Sequence, residues 1–364
     1  MKRFYFLLTA VFLLIFSPQT KSQDNHSSHS GKQSYDWAWM YVRGDMSDHQ
    51  WDKKFQMMKN SGIDGILLLH PRETEELSRV ARIGKEAGLS MHVWIPTTNP
   101  HGGRDLQKEH PEWFQVSREG ISCLDKPPYI PSYKWLCPNN PGARAYMIDQ
   151  MRSLASLDYL DGVHLDYIRF PDVILPVGLQ PKYNLVQDKE YPEFDFCYCE
   201  HCRKKFKEEH GIDPMDLDDP PNNKDWVEFR YNSITTLVND IYDVVYQEGK
   251  MLTAAVFPTP ELSKKLVRQD WANWKIDAVM PMIYHEYYYE ELSWVKTAAK
   301  EGVDALPDNI PLYSGVFTGW IKAEEMQDLV RYSNEAGAKG ICLFNANSMS
   351  KKQWKKLGKA LKNQ

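Results

Sequence analysis

Gly162-Val-His-Leu-Asp-Tyr-Ile-Arg-Phe-Pro171 is the stretch on which the reading of this chain turns. Val163 and Leu165 alternate with His164 and Asp166, the period of a β-strand, and the segment closes in charged and aromatic residues before a proline. Asp166 is thereby expected at or near the C-terminal end of a buried strand, the end at which an α/β barrel collects its catalytic side chains. An aspartate there can also cap the next segment or pair with Arg169. The polar company of His164, Tyr167 and Arg169 favours function, because a purely structural strand rarely carries it.

Outward from this strand, short apolar runs alternate with amphipathic ones from Asp36 to the C-terminus. Strands are predicted at Trp37–Val42, Gly65–Leu69, Met91–Ile95, Val163–Ile168, Leu252–Phe257, Ala278–Tyr284, Leu312–Phe317 and Gly340–Phe344. Between them lie helical patterns such as Glu75 to Glu86, with Leu77, Val80 and Ala81 on one face, and Ala323 to Glu335. Gly62, Gly88, Gly249, Gly302 and Gly337 stand where helix C-caps are expected. Eight strands alternating with helices predict an α/β fold, a (β/α)₈ TIM barrel. A doubly wound open sheet is the competing arrangement, but Arg43-Gly44-Asp45-Met46 is not the glycine-rich turn such a sheet places after its first strand.

The 364 residues, 42% hydrophobic and 13% aromatic, suffice for a large core. A net charge of -5 without a basic stripe argues against a nucleic-acid partner. Nothing points to a specific protein partner or an organic cofactor. Met1-Lys-Arg, the apolar run Phe4 to Phe16 and small residues at Thr20 and Ser22 form a signal-peptide pattern, so residues 1–22 are expected to be removed by a cut before Gln23. Residues 23–35 are a polar lead-in, and residues 36–364 form a single domain. The mature protein is expected to be exported, periplasmic or secreted, with no membrane span.

Two connections exceed what a barrel needs: Thr97 to Asn140 after the third strand and Asp172 to Asp225 after the fourth. Both project from the face that builds the site, so they are expected to wall a cleft. The second holds Cys197, Cys199 and Cys202, a C-x-C-x-x-C spacing that lets three thiolates converge on one tetrahedral ion. Cys137 is the first candidate for the fourth ligand, followed by Cys123 and His201. The expected cofactor is a structural zinc. Export keeps open disulfides to Cys123 and Cys137 instead. Cys342 reads as a buried apolar thiol.

The residues after the strands form a crowded polar list. Arg43, His70, Trp94, His164, Arg169, Tyr284, His285 and Trp320 are candidate substrate-binding residues, with aromatic faces for sugar rings and polar groups for hydroxyls. Cleaving a glycosidic bond takes two carboxyl groups. Asp166 is the candidate nucleophile or base, kept ionised by a neighbouring arginine, and Glu286 or Glu261 the candidate acid. No G-x-S-x-G, H-E-x-x-H or Walker loop offers another scheme. A glycan-binding barrel without catalysis and a metal-dependent deacetylase or phosphodiesterase using Asp166 with His70, His164 and His285 are the alternatives.

Asp161-Gly-Val-His-Leu-Asp-Tyr-Ile-Arg-Phe-Pro171 resembles the strand-four signature of the glycoside-hydrolase-like family 10 group and neighbouring glycosyl hydrolases. Pro138-Asn-Asn-Pro141-Gly-Ala-Arg144 and Trp271-x-x-Trp274-x-x-Asp277-x-Val279-x-Pro281-Met-Ile-Tyr284 resemble further segments of those proteins. The resemblance implies a (β/α)₈ barrel, a carbohydrate substrate and a functional Asp166, and for some relatives activity on peptidoglycan glycan strands. The cysteine cluster resembles the zinc-binding loop of family 42 β-galactosidases.

Overall fold

A computed structural model describes residues 35–71, 73–100 and 104–363. The signal peptide and nearly all of the lead-in expected from the sequence lie outside them. Eight parallel strands run β1 Trp37–Met40, β2 Gly65–Leu69, β3 Ser90–Pro96, β4 Gly162–Asp166, β5 Met251–Val256, β6 Ala278–Pro281, β7 Ser314–Phe317 and β8 Ile341–Phe344. Their order is β6-β5-β4-β3-β2-β1-β8-β7, and the parallel bridges Val279 to Leu312 and Met282 to Gly315 join the last gap. The protein is a (β/α)₈ TIM barrel.

Alternation along the strands sorts the side chains. Trp37, Trp39, Leu67, Trp94, Ala255, Met280, Tyr313 and Cys342 pack together inside the barrel. Ala38, Met40, Ile66, Leu68, Val93, Ile95 and Leu165 pack with the apolar faces of the surrounding helices. The helices are α1 Asp48–Asn60, α2 Thr74–Glu86, α3 Arg104–Glu109, α4 Pro141–Ala155, α5 Glu200–His210, α6 Lys224–Gln247, α7 Pro260–Val267, α8 Trp294–Ala305, α9 Met326–Glu335 and α10 Lys351–Lys362. Gly62, Gly88, Gly249 and Gly337 follow helices with φ between 68 and 99°. Gly302 does not cap a helix. It lies within α8, where a Cβ would stand 2.5 Å from Leu312 Cδ1. Asn140 caps α4 by accepting from Ala143 N–H at 3.1 Å, and Pro141 occupies the first turn, which accounts for the Asn-Pro pair in the sequence.

The two long connections are joined to each other. Phe114 bridges Leu136, Val116 bridges Ser122 and Ser117 bridges Phe196, all antiparallel, and Tyr198 N–H donates to Val116 O at 2.8 Å. Beneath them the Arg230 guanidinium of α6 pairs with Asp195, both fully buried. Tyr198 Oη donates to the other Asp195 oxygen at 2.7 Å.

A polar chain crosses the barrel interior. Trp39 Nε1–H donates to His164 Nε2 at 3.0 Å, His164 Nδ1 meets Thr253 Oγ1 at 2.9 Å, and Thr253 Oγ1 meets His92 Nδ1 at 3.2 Å. An indole N–H can only donate, so His164 is neutral with its proton on Nδ1, and the Thr253 hydroxyl donates onward to His92. Burial holds His92 down at about 4 and His164 well below its ordinary value. Because both values are lowered on folding, the stability they carry is complete above about 6.5 and is lost as the pH falls toward 4, where the unfolded chain binds protons that the folded chain refuses. Urea unfolding should show stability falling across this window by up to about 1.4 kcal/mol per pH unit for each histidine. His92→Asn should flatten the slope, and a flat wild-type profile would contradict a neutral buried chain.

Candidate active site

Strand β4 delivers Asp166 to the C-terminal mouth of the barrel. It ends there, two residues before the expected Ile168, because Tyr167 adopts a left-handed φ of 49°. The Asp166 carboxylate accepts from Trp94 Nε1–H at 2.9 Å through Oδ2 and from the Tyr167 backbone N–H at 2.7 Å through Oδ1. Both donors are fixed, one by neighbouring β3 and one by the turn itself, so the carboxylate is oriented before any ligand arrives.

A cavity of about 690 Å³ opens over this carboxylate. Trp39, Tyr41, Trp94, Tyr284 and Phe344 line its barrel side, and Tyr133, Phe257, Tyr287 and Tyr288 its walls. Burial pushes the Tyr284 and Tyr41 phenols up. Burial followed by the Asp172 charge takes Tyr133 up to about 12. These phenols are therefore O–H donors at neutral pH, suited to bonding hydroxyl groups. Desolvation lowers His70, so this imidazole is held toward its neutral form.

The structure brings Asp166, His70, Trp94, Arg169 and Tyr284 together on this cavity. The other candidates stand apart from its lining. Arg43 is exposed on the loop after β1. His164 is sealed inside the barrel. His285 and Trp320 pack edge to face with ring centres 5.9 Å apart. Glu261 and Glu286 are both exposed. Glu261 sits in the first turn of α7, where an acid complements the helix dipole, and its charge is felt by Glu301 of α8. Glu286 belongs to a 3₁₀ turn at His285–Tyr288, next to the point where the loop after β4 crosses over. In that crossing Gly178 N–H donates to Tyr287 O at 2.8 Å, and a Cβ on Gly178 would lie 2.6 Å from Glu286 O.

Arg169 pairs through Nη1 with Asp172 Oδ2 at 3.0 Å, rather than with Asp166 as its place in the sequence suggests. Its guanidinium lies 4.8, 5.3 and 5.0 Å from the ring centres of Trp135, Tyr167 and Phe257. Leaving the strand at Tyr167 is what carries Arg169 away from the β4 face.

The sulfurs of Cys137, Cys197, Cys199 and Cys202 all lie within 4.8 Å of one another, and all four residues are buried. Cys137 Sγ is 3.4 Å from Cys202 Sγ and 3.5 Å from Cys199 Sγ. Tetrahedral coordination at about 2.3 Å spaces sulfurs about 3.8 Å apart, so the cluster fits a structural metal. Asn139 Nδ2 donates to Cys202 Sγ at 3.3 Å, the kind of outer contact that orients a thiolate ligand. Cys123 is outside the cluster, its sulfur taken up by the Trp135 backbone, and none of the six cysteines is in a disulfide. Cys342 is buried inside the barrel.

The family model for glycosyl hydrolase-like 10 matches residues 71–330, well over half of the chain. The chain belongs to that family. No curated protein matches it. Among solved structures, the β-galactosidase from the psychrophilic Marinomonas ef1 is similar at a TM-score of 0.62 and 10% identity, covering 90% of this chain and 59% of that one. This chain therefore spans less than two thirds of that relative. The catalytic domain of β-amylase from Paenibacillus polymyxa has a TM-score of 0.57 at 11% identity over 88% and 94% of the two chains. A class V chitinase from Pseudomonas fluorescens Pf-5 has 0.53 at 10% over 90% and 99%. At such identities these likenesses establish the shared barrel.

In this glycosyl hydrolase-like 10 chain, sequence reasoning passed over Asp172, Tyr41, Tyr133, Phe257, Tyr288 and Phe344. Tyr41, Phe257 and Phe344 were recoverable by extending the inward alternation of β1, β5 and β8 one step to the mouth. Asp172 carried a weaker signal, standing three residues after Arg169 at the root of a long insertion.

Proposed function

We propose that this chain is an exported glycoside hydrolase that cleaves glycosidic bonds in a poly- or oligosaccharide, with Asp166 at the reacting centre. The observation that carries the reading is Asp166 itself: a strand-end carboxylate at the mouth of the barrel, oriented by Trp94 and a backbone N–H, under a cavity walled by aromatic rings and phenols. Rings offer flat apolar faces to sugars, and the phenols bond their hydroxyls. The deacetylase alternative gains nothing from the geometry, since His164 lies inside the barrel and His285 away from the cavity lining. Among the described residues no helix is long and apolar enough to cross a membrane.

The test is reducing-sugar release from a panel of bacterial and plant polysaccharides, peptidoglycan included, by wild type beside Asp166→Asn. Release by the wild type alone supports the reading. Binding of glycans without release by either protein would favour a glycan-binding barrel.

Trp94→Phe keeps an aromatic ring at this position, though a smaller one, and deletes the N–H that Asp166 accepts. A hydrogen bond to a charged group is worth about 1.5–3 kcal/mol, so kcat should fall about 10–100-fold with circular dichroism unchanged. An unaltered kcat would show that this bond does not orient the carboxylate for reaction.

The four-cysteine cluster is proposed to hold zinc in a structural role. Four protein ligands leave no open position for a substrate, and the ion would tie the two insertions that wall the cavity.

A further inference from the structure

The glycosidase reading requires a second carboxyl group, and neither acid nominated from the sequence lines the cavity. Among the described residues that do, Asp166 and Asp172 are the only carboxylates. We infer that Asp172 is the second carboxylate of the site, acting in its ionised form, with Arg169 as its positioning residue and Asp166 as the proton donor. The inference rests on the hydrolase reading and extends it to the division of labour.

Asp172 is 3% exposed, and its Oδ2 is paired with Arg169 Nη1 at 3.0 Å. Arginine stays charged throughout the working pH range, so the partner it holds is a carboxylate. Arg169 is itself immobilised. Three aromatic rings enclose the guanidinium, Nη1 also donates to Phe170 O at 2.9 Å, and Thr98 Oγ1 donates to the Arg169 carbonyl at 2.8 Å. The Asp172 backbone is pinned by Tyr129 Oη, which donates to its carbonyl at 2.7 Å. The pair is thus pre-organised at full strength before substrate binds. Asp172 Oδ1 takes no hydrogen bond from any described residue, which leaves that oxygen's electron pairs for the reaction.

Asp172 Oδ1 gives an electron pair either to a proton of water, whose oxygen then bonds the anomeric carbon, or to the anomeric carbon directly, with water displacing it afterwards. In both courses the glycosidic C–O bond breaks with its electron pair on the leaving oxygen, and that oxygen takes the proton from Asp166. One water is consumed: in the first course Asp172 passes the water's proton back to Asp166 through solvent, and in the second Asp166 takes the proton of the water that displaces Asp172, so both carboxyl groups return to their starting states. One acid and one base set apart by environment is the arrangement such chemistry demands. The buried arginine places the base at Asp172.

The experiment uses aryl glycosides of the sugar identified by the polysaccharide panel, one with a good and one with a poor leaving group, and the variants Asp172→Asn, Asp172→Ala, Arg169→Lys and Asp166→Ala. Asp172→Asn and Asp172→Ala should each lose at least about 10³-fold in kcat on both substrates. Sodium azide or formate should restore turnover to Asp172→Ala on the good leaving group. Asp166→Ala should retain far more activity on the good leaving group than on the poor one, because little proton donation is needed there. Arg169→Lys should lower kcat with KM nearly unchanged, a split that a merely structural loss would not produce. Thermal midpoints confirm folding, with Asp172→Asn as the isosteric variant. A folded Asp172→Asn within tenfold of wild type overturns the inference, as does azide rescue of Asp166→Ala in place of Asp172→Ala. A wild type that hydrolyses nothing overturns the hydrolase reading, and this one with it.

Discussion

Asp166→Asn is expected to lower turnover about 10²–10⁴-fold, or about 3–5 kcal/mol of barrier, while the chain remains folded. The amide is nearly the shape of the carboxylate, so packing around this 8% exposed side chain is kept. Its ability to exchange a proton is lost. The native group accepts from Trp94 and from the Tyr167 backbone with separate oxygens, and an amide has only one oxygen to offer. One donor is then left facing an NH₂ group, which should cost about 1–3 kcal/mol of stability. Steady-state kinetics beside a thermal melt separate the two effects. Turnover within a few-fold of wild type would move the chemistry off this residue.

Cys137→Ser should abolish stoichiometric metal and destabilise the protein more than any other single change considered. Wild-type protein should carry about one equivalent of metal and lose it slowly to a strong chelator. Structural thiolate sites contribute on the order of 10 kcal/mol of apparent binding energy at neutral pH. Losing even half of that should lower the thermal midpoint by roughly 5–10 °C for a domain of this size. The effect should reach the cavity. Leu136 N–H donates to Thr98 O at 2.7 Å, and Trp135, two residues from the thiolate, stacks on Arg169. Metal content by mass spectrometry and melting with and without chelator check both halves. Metal-free protein of full stability would retire the zinc assignment.

How far the sequence reaches depends on the range of the interaction. The strands were legible because alternation is local, and β2 was found at its observed bounds. Asp166 was legible as a strand-end acid for the same reason. The cysteine cluster was legible because C-x-C-x-x-C is itself a ligand spacing, although the choice of Cys137 over Cys123 depends on how two insertions pair. The partner of Arg169 was not legible. One left-handed residue, Tyr167, ends the strand early and swings the arginine toward Asp172, and nothing in a tyrosine announces a positive φ. Glu261 and Glu286 each follow the right strand and still miss the cavity. Thr259 caps a helix that takes Glu261, and the β4 loop reaches the turn beside Glu286 through Gly178. Those are consequences of loops meeting loops, which no local pattern encodes.

Hydrolysis in ¹⁸O-enriched water, with products read by mass spectrometry, tests whether the chain cuts glycosidic bonds with water at Asp166. Each bond cut should add one water to the products and place one ¹⁸O on the newly exposed anomeric carbon, at a rate that collapses in Asp166→Asn. Glycan that binds the wild type and is recovered uncut, or is cut without taking up ¹⁸O, would contradict hydrolysis at this site.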